Sequence, residues 1–193
     1  MRVLVLYAHP VETSYCSSLH ARVVASLREG GHEVDDCDLH AERFDPVLSR
    51  AERLSYHDVA ANTAGVASYV ERLKAADALV IVCPVWNFGF PAILKGFLDR
   101  VFLPGVSFSL ENGRSRGALR NIRRVVMVTC YGGSHVRAVL MGDPPRKLVT
   151  RMIRGAVRPF ARIRYLAHYG MNQSTEASRI AFLRRVEREM RAF

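Results

Sequence analysis

The chain has 193 residues, 49% of them hydrophobic and 24% charged, which suits one ordinary domain with a core of its own. No apolar run approaches the roughly 20 residues needed to span a membrane. Cys16, Cys37, Cys83 and Cys130 are too widely spaced for a zinc site, so no metal is expected, and they read as thiols of a reducing compartment. The net charge of +10 is lopsided: ten Lys/Arg face thirteen Asp/Glu in residues 1–100, and eighteen face five in residues 101–193. A basic half implies an anionic partner. No helix-turn-helix, finger or RNA-binding motif accompanies it, so nucleic acid is not expected. A start with one basic residue, Arg2, and no small-residue cleavage region reads as cytoplasmic, with peripheral contact to an acidic surface left open.

Arg2-Val3-Leu4-Val5-Leu6-Tyr7 is a continuous apolar run, the pattern of a strand buried on both faces. It breaks at Ala8-His9-Pro10. A polar loop to Ser18 then leads into a helical stripe of Leu19, Val23, Val24 and Leu27 that Gly30-Gly31 ends. Glu33 to Leu39 reads as a second, more polar strand near a sheet edge. Residues 39–63 hold a short surface helix or two, and Val66 to Ala75 is a helix with Val66, Tyr69, Val70 and Leu73 on one face. A third strand begins at Ala78 and stops at Cys83-Pro84, because proline cannot donate to a ladder. Trp86, Asn87, Phe88, Gly89 and Phe90 form an aromatic turn, and Pro91 opens a helix carrying Ile93, Leu94, Phe97, Leu98, Val101 and Phe102. Asn112-Gly113 predicts a hairpin within residues 105–119. Val125 to Cys130 is a fourth buried strand, ending at Tyr131-Gly132-Gly133. A helix follows from about Arg146 to Val157, then a fifth strand from Ile163 to Tyr169. Ser174-Thr175 caps a last amphipathic helix.

Five strands alternating with helices predict one α/β domain over residues 1–193, a three-layer doubly wound sandwich on a parallel sheet of order 2-1-3-4-5. Its crevice lies between the carboxyl ends of strands 1 and 3, where loops 9–18, 84–91 and 130–135 meet. The first loop offers His9, the hydroxyls of Thr13, Ser14, Ser17 and Ser18, and the free N–H groups of a helix N-terminus, which suit a phosphate. The same residues are also ordinary capping chemistry. The second loop offers flat aromatic surface that suits an isoalloxazine or nicotinamide ring, or that packs on the core or a subunit partner. In the third loop, Gly132 and Gly133 let two amides approach a ligand edge, if they are not simply a turn. A hydrolase is not expected without a G-x-S-x-G elbow. Cys16 at a helix N-terminus raises a thiol-enzyme alternative with a lowered pKa, although no arginine-cradled loop surrounds it.

Four stretches carry a family resemblance: A-H-P-x-x-x-S-Y at 8–15, D-L-H-A-E-R-F-D-P-V-L-S at 38–49, P-V-W-N-F-G-F-P-A-I-L-K-G-F-L-D-R-V-F at 84–102 and C-Y-G-G-S at 130–134. Over roughly residues 1–135 the chain resembles the flavodoxin-like NAD(P)H:quinone oxidoreductases, with 84–102 the specific block. The resemblance implies a flavodoxin-like flavoenzyme, usually a homodimer. Hydride passes from NAD(P)H to the flavin, and a quinone or similar acceptor then takes two electrons at the same pocket, in a ping-pong cycle. Carried over residue by residue, His9, Thr13, Ser14, Tyr15 and Cys16 fall on the phosphate-binding loop. Pro84, Val85, Trp86, Asn87 and Phe88 fall on the ring-binding loop, and Cys130, Gly132 and Gly133 on the second ring contact. Tyr131 and His135 are the candidate catalytic side chains, with Arg137 beside them, and Phe44 and the 84–102 helix are candidates for the dimer surface. The family places asparagine where Cys16 stands. FMN and FAD share the ring and first phosphate, so both remain open. The competing reading is a flavin-binding electron carrier or a regulatory subunit of a membrane protein.

Overall fold

The computed structural model describes residues 1–193. Val3, Leu4, Val5 and Leu6 are all but completely buried, so β1 (Arg2–Tyr7) is covered on both faces, as are β3 (Ala78–Val85) and β6 (Arg124–Tyr131). The more polar β2 (Glu33–Asp38) and β7 (Arg162–His168) form the edges. All five are parallel in the order β2-β1-β3-β6-β7, the 2-1-3-4-5 arrangement once the separate hairpin of β4 (Phe108–Glu111) and β5 (Arg114–Gly117) is set aside. That hairpin turns at Asn112 and Gly113, both at positive φ, 51° and 73°.

The two faces of the sheet carry different side chains. Val3, Val5, Val80, Val82, Val126 and Val128 pack against α1 (Tyr15–Glu29) and α8 (Glu176–Arg191). Leu4, Leu6, Leu79, Ile81 and Met127 pack against α3 (Ala67–Ala75), α4 (Ala92–Val101) and the helical run that follows β6. No helix is long and apolar enough to cross a membrane.

Three local expectations are corrected. Pro84 does not stop the third strand, which continues to Val85 with Pro84 in register with Cys130. Val82 directs its carbonyl toward β1, accepting from the Ala8 N–H at 3.1 Å, so Pro84 two residues on faces the same way. There β1 has already ended, and the missing N–H breaks no ladder bond. The chain after Gly133 forms an unforeseen helix, α5 (His135–Leu140), which Ser134 caps by accepting from the Arg137 N–H at 3.3 Å. The helix expected over 146–157 runs as α6 (Pro144–Lys147), a π-helical stretch Leu148–Ile153 and α7 (Arg154–Ala156). Within it the Thr150 hydroxyl donates to the Arg146 carbonyl at 2.7 Å, competing for a backbone acceptor and loosening the α-helical ladder.

The segment between β2 and α3 is held against α4. Its helix α2 (Arg50–Leu54) starts in a capping box, with Ser49 and Glu52 satisfying each other's backbone N–H groups. Arg100, largely buried on α4, donates to Glu52 at 2.5 Å and to the Asp45 carbonyl. Burial works against the Glu52 charge, but the Ser49 N–H and Arg100 outweigh it and hold the carboxyl below its usual range. Phe44 lies in this core, 5% exposed and 5.4 Å from the Phe97 ring, so it is not the surface residue that the resemblance implied. Gly96 makes the close approach possible: a Cβ there would stand 2.2 Å from the Pro46 carbonyl oxygen. Gly96→Ala is therefore expected to cost about 1–3 kcal/mol or more through overpacking against backbone. A urea midpoint equal to that of the parent chain would refute it.

Candidate ligand site at the carboxyl edge of the sheet

Strands β1, β3 and β6 deliver their loops to one edge. At the first loop, Ser14 caps α1 by accepting from the Ser17 N–H at 3.1 Å, and the N–H groups of Tyr15 and Cys16 point out of the helix with no acceptor in the chain. Together with the helix dipole they make an anion seat. Thr13 stands exposed beside it. His9 Nδ1 accepts from the Val11 N–H at 3.0 Å, which puts the imidazole proton on Nε2 and leaves it as a donor. Burial lowers the His9 pKa, so the ring is neutral at pH 7. Its edge meets Trp86, 5.6 Å between centroids.

The second loop is a two-residue turn closed by reciprocal bonds between Trp86 and Gly89, 3.2 and 2.8 Å. Both central residues, Asn87 and Phe88, have positive φ, 49° and 56°. Asparagine tolerates that region, whereas phenylalanine pays roughly 1–2 kcal/mol for it. The conformation turns the Asn87 and Phe88 N–H groups away from any acceptor in the chain, and Trp86 stays 44% exposed. A strained turn with free donors and an open aromatic is more than core packing requires.

In the third loop, the carbonyls of Gly132 and Gly133 accept from the N–H groups of Asn172 (3.4 Å) and Gly170 (2.8 Å), while their own N–H groups have no acceptor in the chain. Gly132 allows a close approach: a Cβ would meet the Asn172 side-chain amide oxygen at 3.1 Å, a tight contact. Val85, Asn87, Phe88, Gly132, Gly133, Arg137 and Asn172, with Tyr131, enclose a cavity of about 260 Å³.

Not every expected residue reaches this cavity with its side chain. Tyr15 donates to the Arg179 carbonyl at 2.9 Å and sets its ring edge against His168, so only its backbone serves the loop. Cys16 is buried beneath the loop. A hydrogen bond to Cys130 and burial push its thiol pKa up, and the same bond pulls that of Cys130 down. The thiol-enzyme alternative needed a lowered Cys16 and is corrected. Pro84 is buried within β3. The Tyr131 hydroxyl points away from the cavity, donating to Asp143 at 2.6 Å and lying 2.5 Å from the Tyr165 hydroxyl. Burial first, then these partners, hold it as a neutral phenol. Asp143 also accepts from Arg146 at 2.8 Å, and Arg146 donates to the Tyr169 hydroxyl at 2.8 Å. His135 is exposed at the start of α5, its ring 4.7 Å from that of Tyr169. Asn172 was missed: it follows β7, and the rule that brings three strand ends together brings this fourth one too.

The family described by a flavodoxin-like fold matches residues 1–190. The chain belongs to it. Among its flavodoxin-like relatives, an uncharacterized NAD(P)H oxidoreductase from Haemophilus influenzae is 34% identical over 141 residues, 70% of this chain and 66% of the relative. An FMN-dependent NADH:quinone oxidoreductase from Clostridium perfringens is 31% identical over 115 residues, 58% of this chain and 57% of the relative. The match thus spans less than two thirds of either curated protein. A solved NAD(P)H:quinone oxidoreductase from Methanothermobacter marburgensis is 25% identical with a TM-score of 0.86, over 99% of this chain and 98% of that one. On this flavodoxin-like scaffold the Tyr131 hydroxyl is a buried structural donor. Tyr131→Phe leaves Asp143 and Tyr165 short of a partner and is expected to cost about 1–3 kcal/mol. Urea unfolding checks this, and an unchanged midpoint would take the network out of the account.

Proposed function

We propose that the chain is a flavin-dependent NAD(P)H oxidoreductase that reduces quinones or similar acceptors by two electrons in a ping-pong cycle. One observation carries the proposal: unbonded N–H groups from three loops converge on one edge, at Tyr15 and Cys16, at Asn87 and Phe88, and at Gly132 and Gly133. This donor set fits a flavin. The α1 N-terminus, Ser14, Thr13 and His9 Nε2–H would hold its phosphate, Trp86 and Phe88 would border its ring, and the Gly132 and Gly133 amides would meet the ring's polar edge. When bound, a flavin supplies hydride acceptance from NAD(P)H and two-electron delivery to an acceptor.

The chain's own contribution is binding, orientation and charge stabilisation. The two glycine amides and the Arg137 cation line the cavity, so negative charge developing there meets fixed donors that need no reorganisation. His9, neutral with Nδ1 occupied, donates without adding charge. Tyr131 acts as a positioning residue, stiffening the end of β6 through Asp143 and Tyr165. His135, exposed at the start of α5, would be free to meet an acceptor that enters beside the Gly133 turn. FMN is the preferred flavin, since the donors found accommodate a ring and one phosphate. The proposed assembly is a homodimer, with the outer face of α4 around Ala92, Lys95 and Asp99 as its contact.

The test is the visible spectrum of the purified chain, followed by oxidation of NADPH and NADH with 1,4-benzoquinone as acceptor. A colourless protein that neither FMN nor FAD reconstitutes would overturn the proposal. Bound flavin without NAD(P)H oxidation would favour the electron-carrier or regulatory-subunit reading. Trp86→Ala is expected to weaken FMN binding about tenfold, the loss of a partly desolvated aromatic contact, with the unfolding midpoint little changed. Unaltered FMN affinity would remove Trp86 from the ring site.

A further inference from the structure

Of the arginines in the basic second half only Arg137 lines the cavity above, and several others gather at the opposite end of the sheet. Arg124 begins β6 and Arg162 begins β7, directly paired in register, with Arg164 two residues on. Like charges placed opposite each other on neighbouring strands destabilise a sheet. The same side chains face α8, whose Arg185 and Arg188 lie one turn apart on the facing surface. The five arginines line a cleft of about 400 Å³ in which the one acidic side chain is Glu189, and Phe193, whose ring Arg124 overlies at 5.5 Å, completes the lining. Glu189 reaches Arg164 at 3.9 Å, while Arg124, Arg162, Arg185 and Arg188 form no ion pair or side-chain hydrogen bond with any acceptor in the chain. The C-terminal dipole of α8 favours cations such as Arg188. It does not account for three arginines on the strands.

We propose that this cleft is a second ligand site, for a small soluble polyanion bearing two or more linked phosphates, free or carried on a nucleoside. Guanidinium forks bind phosphate oxygens in pairs, and several forks around one concavity suit a ligand with several such oxygens. The volume of about 400 Å³ is that of a small-ligand site and matches a ligand of nucleotide size. At roughly 3.3 Å per residue, β6 separates the cleft from Tyr131 by about 23 Å. The site is therefore independent of the flavin proposal.

The experiment is calorimetric titration of the purified full-length chain with sodium triphosphate at low ionic strength, with ADP and sodium sulfate in parallel. One-to-one saturable binding is expected, weaker at higher salt and much weaker for sulfate. Tighter binding of ADP assigns a nucleotide, and equal or tighter binding of triphosphate assigns a free polyphosphate. Arg162→Gln/Arg188→Gln, and separately Arg164→Gln/Arg185→Gln, should each weaken binding about tenfold or more with circular dichroism unchanged. The second pair guards against misfolding of the first. Absence of saturable heat, sulfate bound as tightly as triphosphate, or full affinity in the folded variants would overturn the proposal. So would a short single-stranded oligonucleotide that binds more tightly with each added residue, because the cleft would then be part of an extended surface.

Discussion

The seating of β3 between β1 and β6, apolar on both faces, is the constraint on which the site depends. Valines line the face toward α1 and α8, and larger leucine, isoleucine and methionine side chains line the other. Slipping one strand by a residue would exchange small for large against both helical layers, so close packing pins the register. Each buried side chain contributes about 1.5–3 kcal/mol. With register pinned and every strand parallel, each crossover must start from the same edge. Loops distant in sequence are thereby brought to one place, with Tyr7 beside Val82 and Val85 beside Tyr131.

That edge combines rigid and strained parts. Behind the cavity, Tyr131, Asp143, Arg146 and Tyr169 form a chain of hydrogen bonds that locks the β6 end to α6 and the segment after β7. In front, the Trp86–Gly89 turn holds Phe88 in a left-handed conformation whose cost the sheet on either side sustains. The glycine loop lies close to Asn172, whose side-chain amide would have to give by a few tenths of an ångström to admit a Cβ at Gly132. Free donors on a stiff frame are what a ligand with fixed acceptor positions needs, since little ordering remains to be done on binding.

Charge divides the molecule along the strand axis. Near the loops Arg137 is the cation that lines the cavity, His9 is a neutral donor, and the remaining free donors are backbone N–H groups. At the amino end of β6 and β7, arginines accumulate with one acidic side chain among them. The two ends belong to one domain yet offer different chemistry: a partly apolar cavity with directional donors, and an open cationic cleft.

The number and order of the strands, their burial and the three ligand-edge loops were legible in the sequence, because apolar runs and Gly/Pro punctuation are local signals. The placing of His9, Ser14, Trp86, Asn87, Phe88, Gly132 and Gly133 at one edge followed from topology, as strand ends in a parallel sheet must share an edge. Tertiary structure alone decided the direction of side chains. It turned the Tyr131 hydroxyl into the core, sent Tyr15 to Arg179, buried Phe44 under α4 and set the free thiols of Cys16 and Cys130 beside each other. It also decided that Pro84 belongs to a strand, because the neighbour its missing N–H would have met has ended. The overall excess of arginine is a property of the sequence. Its gathering into one cleft depends on the pairing of β6 with β7 and on where α8 crosses them, contacts between residues up to about 60 positions apart that no local pattern encodes.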